Sequence, residues 1–499
     1  MNYALAMISN DDLIRENQDL KDLLQKKESE IQGLYDLVAM LRRKKFGSSS
    51  EKVSSEQLGM FNEVETEALN SEPEEDEDEV KPSGPKRKRG KRSPLPESLP
   101  RVEVIIDVDN KICPTDGEEL KCIGEEVSEK LEIIPAKVRV IRTIKKKYAC
   151  PVCETVTQAP APLEMIPKSN ASASLLAYVA VAKYVDSLPL YRQEAIFMRI
   201  GIDLPRQTMA RWMIKVGEMI TPLITLLREE LVKGSYLFMD ETVVQVLKED
   251  GKKAQTNSYM WVQGREGLSP ILLFYYAKNR SGSHASELLD DFDGALHIDG
   301  YDGYAIAITK NGIVRLGCWA HARRKFHDAF KSSSGKSIGK QGLVFFKKLY
   351  GIEEEIKDSS PEKRFYIRLT RCVPLAKAFE EWIQEQSQKV TPSSFAGKAL
   401  TYARNEWQYL MNCFSSGEFR IDNNWIESHI RPFTIGRKNW MFSDTPAGAT
   451  ASANLYSLVE TAKANGLDPF DYLNMVFTKL PLAKTEKDFL ELLPVKIAM

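Results

Sequence analysis

At 499 residues the chain is too long for one compact core, and about three or four domains are expected. A hydrophobic content of 43% with 28% charged residues is that of a globular protein, and no apolar run approaches the roughly 20 residues of a membrane span, which excludes a helical membrane-spanning class. The formal net charge of −1 conceals segregation, with acid in one linker and base in patches elsewhere, so nucleic acid is not excluded as a partner.

Residues 10–41 carry a heptad. One series is Leu13, Leu20, Lys27, Leu34 and Leu41; the other is Asn10, Asn17, Leu24, Ile31 and Val38. One helix cannot bury such a seam alone, so residues 1–47 are expected to form a leucine-zipper-like coiled coil in a homodimer, with Asn17 fixing register. An amphipathic helix docked on its own domain is the alternative. Residues 48–100 combine an acidic block at 74–79 with a basic block at 85–94. That composition buries little apolar area and predicts a disordered linker.

Residues 101–160 read as a small β-rich module, with a strand over 138–148. Cys150-Pro-Val-Cys153 has metal-ligand spacing, and Cys113-Pro-Thr-Asp116 is the partner half-site, with Asp116 where a second Cys would stand. Cys122 is a spare ligand. The expectation is a zinc-finger-like module holding a structural Zn²⁺, or a degenerate one held by its core. Residues 161–232 read as helices. A helix over 189–200, Gly201 and a helix over 204–218 make a helix-turn-helix, with Pro205 at the first helical position and Arg206 and Arg211 in the first turns of the second helix. A purely structural hairpin fits the same pattern.

At 236–239 an apolar run leads straight into Asp240, which predicts a buried central strand interrupted by a carboxylate. A lone ionised Asp there costs several kcal/mol unless something offsets it, and a bound cation is the usual compensation. A solvated turn after residue 239 is the alternative. Strand-like segments follow at 258–263 and 270–277, then a helix over 283–289. A second apolar run ends in Asp299; a helix over 301–310 and a strand over 314–319 complete a mixed α/β sheet with antiparallel leading strands. From Cys318 to about residue 418 the pattern is all helical. His321 with Cys318 offers only two metal ligands, and Arg323, Arg324 and Lys325 are candidate phosphate contacts. On a later helix Glu427 and Arg431 stand one turn apart, as a surface ion pair or as part of a site, and Arg437 and Lys438 follow. Residues 446–499 close the chain with helices.

Asp240 and Asp299 each terminate an apolar strand, and Glu427 lies on a helix expected to pack nearby. Such a trio can hold two divalent ions about 3.5–4 Å apart, and all-carboxylate ligation suits Mg²⁺ or Mn²⁺.

The blocks MDET, HIDGYDGY, GCWAHARRKF, DNNWIESHIRPFTIGRKNWMFS and NGLDPFDYL resemble the successive blocks of TnpC-type transposases of the insertion-sequence-sixty-six group, over residues 100 to 480 approximately. The resemblance implies a DDE transposase whose ribonuclease-H-like core spans 233–320 and 419–445, split by a helical insertion at 321–418. Its implied catalytic triad is Asp240, Asp299 and Glu427, with Asp302 in reserve. Its zinc-binding module falls at 110–155 and its zipper at 10–41. It further implies hydrolysis of a phosphodiester at the element's ends, then attack of the freed 3′-hydroxyl on target DNA. Double-stranded DNA is the expected partner, contacted by Arg206, Arg211, Arg323, Arg324, Lys325, Arg431, Arg437 and Lys438. The rival readings are a nuclease of the same fold without strand transfer, and a zipper-dimerised regulator with an inactive core. Seven Cys, an odd number, and a polar N-terminus point to a reducing compartment, the bacterial cytoplasm.

Overall fold

The computed structural model describes residues 138–149, 156–158, 160–332 and 337–497, with isolated helical positions at Gln18, Leu20, Lys21, Lys27 and Ile31. The chain divides into two units, residues 48–161, and residues 1–47 together with 162–499.

In the smaller unit β1 (Lys147–Ala149) pairs antiparallel with β2 (Val156–Gln158). The strand expected over 138–148 is shortened to β1, because its described ladder has only three rungs, Lys147 with Gln158 to Ala149 with Val156. Residues 138–146 take no regular structure, and Val140, Ile141 and Ile144 are exposed. Cys113, Asp116, Cys122, Cys150 and Cys153, the expected zinc ligands, lie outside the described residues.

From residue 162 onward the larger unit begins with α1 (Ala173–Tyr184), capped by the Ser172 hydroxyl, which accepts the Leu175 N–H at 3.3 Å. Then come α2 (Leu190–Arg199), α3 (Arg206–Met219) and α4 (Thr221–Val232). The turn between α2 and α3 runs through Gly201 at φ +79°, a left-handed conformation that favours glycine. Pro205 is the extended N-cap of α3, one place earlier than expected. Met209, Trp212, Met213 and Val216 turn α3 inward, while Arg206 and Arg211 stay exposed.

Next come β3 (Tyr236–Gln245), β4 (Asn257–Arg265) and β5 (Ile271–Ala277), α5 (Gly282–Leu288), β6 (Ala295–His297), α6 (Ala305–Asn311) and β7 (Val314–Leu316). They build one five-stranded sheet in the order β5-β4-β3-β6-β7. The first three strands are antiparallel hairpin neighbours; β6 and β7 join parallel to β3. Parallel neighbours need crossovers, and α5 and α6 supply them.

Among the described residues α7 (Trp319–Lys331), α8 (Ile338–Ile356), α9 (Pro361–Ile367), α10 (Val373–Ser387), α11 (Phe395–Asn405) and α12 (Trp407–Asn412) follow, with a π-helical turn at Arg368–Cys372 joining α9 to α10. They bury a core of their own, in which Trp319, Phe326, Phe346 and Phe379 pack edge and tilted. Within it the buried Arg368 binds Glu353 through two bonds of 2.8 and 2.6 Å and donates to the carbonyls of Ser416 and Phe419, each at 2.8 Å. That cation pins the chain where it returns to the sheet.

The chain ends with α13 (Asn424–Trp440), α14 (Pro446–Ala464), α15 (Pro469–Lys479), α16 (Glu486–Leu490) and α17 (Pro494–Ile497). Helix α14 covers the exposed edge of the sheet. Ser457 accepts the Phe274 N–H at 2.8 Å and Thr461 accepts the Leu272 N–H at 3.0 Å, so β5 presents no free ladder there. Small residues let the backbones approach, and α14 is buried from Ala451 to Ala462.

Candidate active site

Successive side chains of a strand point to opposite faces, so β3 divides its residues between two layers. Phe238, Asp240 and Thr242 share the face covered by α13: the Phe238 ring lies 4.9 Å from that of Trp425, and Arg437 Nη1 donates to Thr242 Oγ1 at 3.1 Å. Met239 and Glu241 share the other face. The expectation that Asp240 terminates its strand is corrected. Strand β3 runs on to Gln245, and Asp240 pairs with Val262 of β4. What ends near Asp240 is the parallel pairing, whose last rung joins Phe238 to His297. β4 keeps pairing with β3 past that point, which holds the strand extended through its polar residues.

Asp299 lies two residues beyond His297, just as Asp240 lies two beyond Phe238. The two acids therefore leave adjacent parallel strands at the same level. Asp299 Oδ1 accepts the Tyr301 N–H at 3.0 Å, which folds the loop back on itself. Asp302, the reserve candidate, opens a 3₁₀ turn (Asp302–Tyr304) and is exposed.

Glu427 sits in the first turn of α13. Three bonds position that turn. Asn423 Nδ2 donates to the Met239 carbonyl at 3.2 Å, the Asn423 N–H donates to Cys318 Sγ at 3.3 Å, and the Trp319 N–H donates to the Ile421 carbonyl at 3.0 Å. Strand β3, the start of α7 and the start of α13 are thus fastened together. Gly264 on β4 leaves room for the approach: a Cβ there would stand 2.6 Å from Trp425 Cζ3 and 2.8 Å from Ile426 Cδ1.

Burial raises the Asp240 carboxyl well above the ordinary carboxylate range, and the charges of Glu241, Glu427 and Asp299 raise it further. Among the described residues its Oδ1 accepts only the neighbouring Glu241 N–H, at 2.8 Å, and the strongest charges acting on it are all acidic. Glu427 Oε1 is buried without a hydrogen-bond partner. Carboxylate oxygens brought together around a buried acid fit a hard divalent cation.

Glu427 faces two basic groups of α7, His321 Nδ1 at 3.7 Å from Oε1 and Arg324 Nη2 at 3.6 Å from Oε2. Burial pushes the His321 imidazole below its ordinary value, against the pull of Glu427. Arg323, Arg324 and Lys325 are exposed at this end of α7. On α13, Arg431 is half-buried and Lys438 exposed, while Arg437 also donates to the Val243 carbonyl and so ties the helix to β3. Arg206 and Arg211 belong to α3, away from these elements in the chain.

Sequence reasoning missed three contributors. The Glu241 side chain is buried on the far face of β3, where it accepts the Tyr304 hydroxyl at 2.5 Å and pairs with Arg280. Tyr301 donates to the Arg280 carbonyl, and the Arg280 guanidinium lies 3.7 Å from the Tyr301 ring centre. The loop carrying Asp299 is thereby clamped to the strand carrying Asp240. Asn423 is the N-cap of α13, yet it makes no side-chain cap bond and holds β3 instead. His321 was set aside as one of two ligands; the third, Glu427, comes from far along the chain, and Cys318, His321 and Glu427 place ligand atoms within 4.8 Å of one another.

An α/β core with acidic side chains gathered where the parallel pairing of its central strands stops suits phosphoryl chemistry. Residues 168–451 match the family described as Transposase IS66 family, and residues 457–495 match its IS66 C-terminal element. Residues 110–154 match the zinc-finger binding domain of transposase IS66, and residues 33–104 match a segment described as Transposase C of IS166 homeodomain. Two relatives from Sinorhizobium fredii (strain NBRC 101917 / NGR234) are described as uncharacterized proteins. With y4qI the chain is 34% identical, covering 90% of this chain and 86% of the relative; with y4jD it is 32% identical, covering 91% and 92%. The chain belongs to the IS66 transposase family. Among the described residues no helix is long and apolar enough to cross a membrane.

Proposed function

We propose that the protein is a DDE transposase that hydrolyses a phosphodiester at each end of its element and joins the freed 3′-hydroxyl to target DNA, with Asp240, Asp299 and Glu427 as its catalytic acids. The observation that carries this reading is geometric: the β3–β6 register sets Asp299 level with Asp240, and the Asn423–Met239 bond brings the start of α13, with Glu427, to the same strand. The sheet order, three antiparallel strands continued by two parallel ones, supports a ribonuclease-H-like core interrupted by α7–α12.

Two divalent ions, Mg²⁺ or Mn²⁺, bound by these acids would activate the attacking oxygen and stabilise the leaving one. The chain's own groups do the rest. Asn423 and the Glu241–Tyr304–Arg280 cluster hold the acids in place. Arg324, beside Glu427, offers positive charge to a scissile phosphate, and Arg323 and Lys325 extend that charge along the DNA backbone. The exposed Arg206 and Arg211 on α3 fit a second DNA contact. A zinc module around Cys113, Asp116, Cys150 and Cys153 would add end recognition, and an N-terminal zipper would bring two subunits to two ends.

Asp240→Asn keeps size and removes charge. It should lower cleavage of an element-end duplex by about 10³-fold or more, roughly 4 kcal/mol of barrier, while DNA binding stays near wild type. Unchanged cleavage would refute the assignment. Pre-cut ends offered to the wild-type protein separate strand transfer from simple hydrolysis: cleavage without joined product would identify a nuclease.

A further inference from the structure

We infer that His321 is a nitrogen ligand to the divalent cation held by Glu427, so that this end of the site selects Mn²⁺ over Mg²⁺. The inference rests on the reading of Asp240, Asp299 and Glu427 as cation-holding acids.

The argument is geometric. His321 Nδ1 and Glu427 Oε1 stand 3.7 Å apart, and both atoms are buried without a hydrogen-bond partner. An ordinary charge-assisted hydrogen bond would bring them to about 2.8 Å. Two ligands of one ion, each about 2.1 Å from it, sit about 3–3.5 Å apart, and a small side-chain rotation closes the difference. The Cys318 sulfur lines the same space: one ligand atom each of Cys318, His321 and Glu427 lie within 4.8 Å of one another. Both helices that supply these groups are fixed at their first turns. Cys318 is the N-cap of α7, its sulfur accepts the Asn423 N–H at 3.3 Å, and the Trp319 N–H reaches the Ile421 carbonyl. Packed backbone therefore fixes the spacing of the two helix starts, and only the two side chains need turn to close on an ion. The remaining Glu427 oxygen faces Arg324 at 3.6 Å, so the carboxylate is held from one side and open on the other.

Imidazole suits the later divalent metals, whereas Mg²⁺ prefers oxygen and keeps its waters. A nitrogen at this position therefore shifts selectivity without changing the acids.

The test is pulsed electron paramagnetic resonance of Mn²⁺ bound to the full chain, purified with its zinc module loaded, whose cysteine ligands supply no nitrogen. Direct ¹⁴N coupling is expected in the wild type and should vanish in His321→Ala, with Mn²⁺ affinity falling about 10-fold or more. Circular dichroism of the variant checks that it has folded. Bound Mn²⁺ with no ¹⁴N coupling, or a coupling that persists in His321→Ala, would overturn the inference and leave the acids untouched. Equal Mn²⁺ binding by the wild type and Asp240→Asn would instead count against the acids, and the coupling would still report on His321 directly.

Discussion

Asn423 donates its side-chain N–H to the carbonyl of Met239 at 3.2 Å, joining the first turn of α13 to the residue just before Asp240. One neutral amide thus sets the spacing between a strand carboxylate and a helix carboxylate. Asn423→Ala should cost about 1 kcal/mol of stability. Its larger effect should be on chemistry: a shift of about 1 Å in Glu427 lowers kcat by up to about 10²-fold. Single-turnover cleavage with saturating DNA measures it, and an unchanged rate would show that Asn423 does not position the acid.

Gly264 tests the same geometry from the sheet side. Its hypothetical Cβ falls 2.6 Å from Trp425 Cζ3, so Gly264→Ala must push α13 outward. Overpacking of this kind costs about 1–3 kcal/mol. Denaturant unfolding should show that loss, accompanied by weaker divalent-cation binding by calorimetry. Full stability with normal metal affinity would mean that the helix does not seat as described.

Glu460 gives a pH dependence away from the chemistry. It is 2% exposed on α14, burial raises its carboxyl, and Lys463 at 2.9 Å only partly opposes this. Its folded-state value lies above the unfolded one, so the folded chain holds this proton more tightly. Stability from this residue is present at low pH and is lost as pH rises through the carboxylate range. Glu460→Gln should therefore raise the unfolding midpoint at about pH 8, with the gain shrinking toward about pH 4. A gain independent of pH would exclude the ionisation as its cause.

For the zinc module, the purified chain should carry about one zinc by elemental analysis. A Cys150→Ser, Cys153→Ser double variant should carry none and should lose preference for element ends over random duplex. Retained zinc would move the site to other ligands.

Leu20 and Ile31, one from each heptad series, are both helical and both 52% exposed in the single chain. Replacing both with Lys should convert a dimer to a monomer in light scattering and abolish joining of paired ends, because charge in the seam opposes helix pairing. A dimer that survives would locate self-association elsewhere.

Much of the core was legible because its signals are local. Apolar runs broken by acids marked β3 and the approach to Asp299, and apolar, aromatic-containing segments marked β4 and β5. Motif blocks identified the family. Boundaries moved where pairing decided them. The strand expected over 138–148 shrank to three residues, and β3 continued past Asp240 because β4 keeps pairing with it.

What the sequence determined by itself was therefore the kind of residue at each position and the period of each element: heptads, alternating strands, capped helices and the acids that interrupt them. Only the tertiary structure decided which of these meet. The parallel β3–β6 pairing levels Asp240 with Asp299. The Asn423–Met239 bond brings in Glu427, and the start of α7 sets His321 against it. Periodicity acts over a few residues, whereas these contacts depend on strand order and on packing between segments far apart in the chain, which no local pattern encodes.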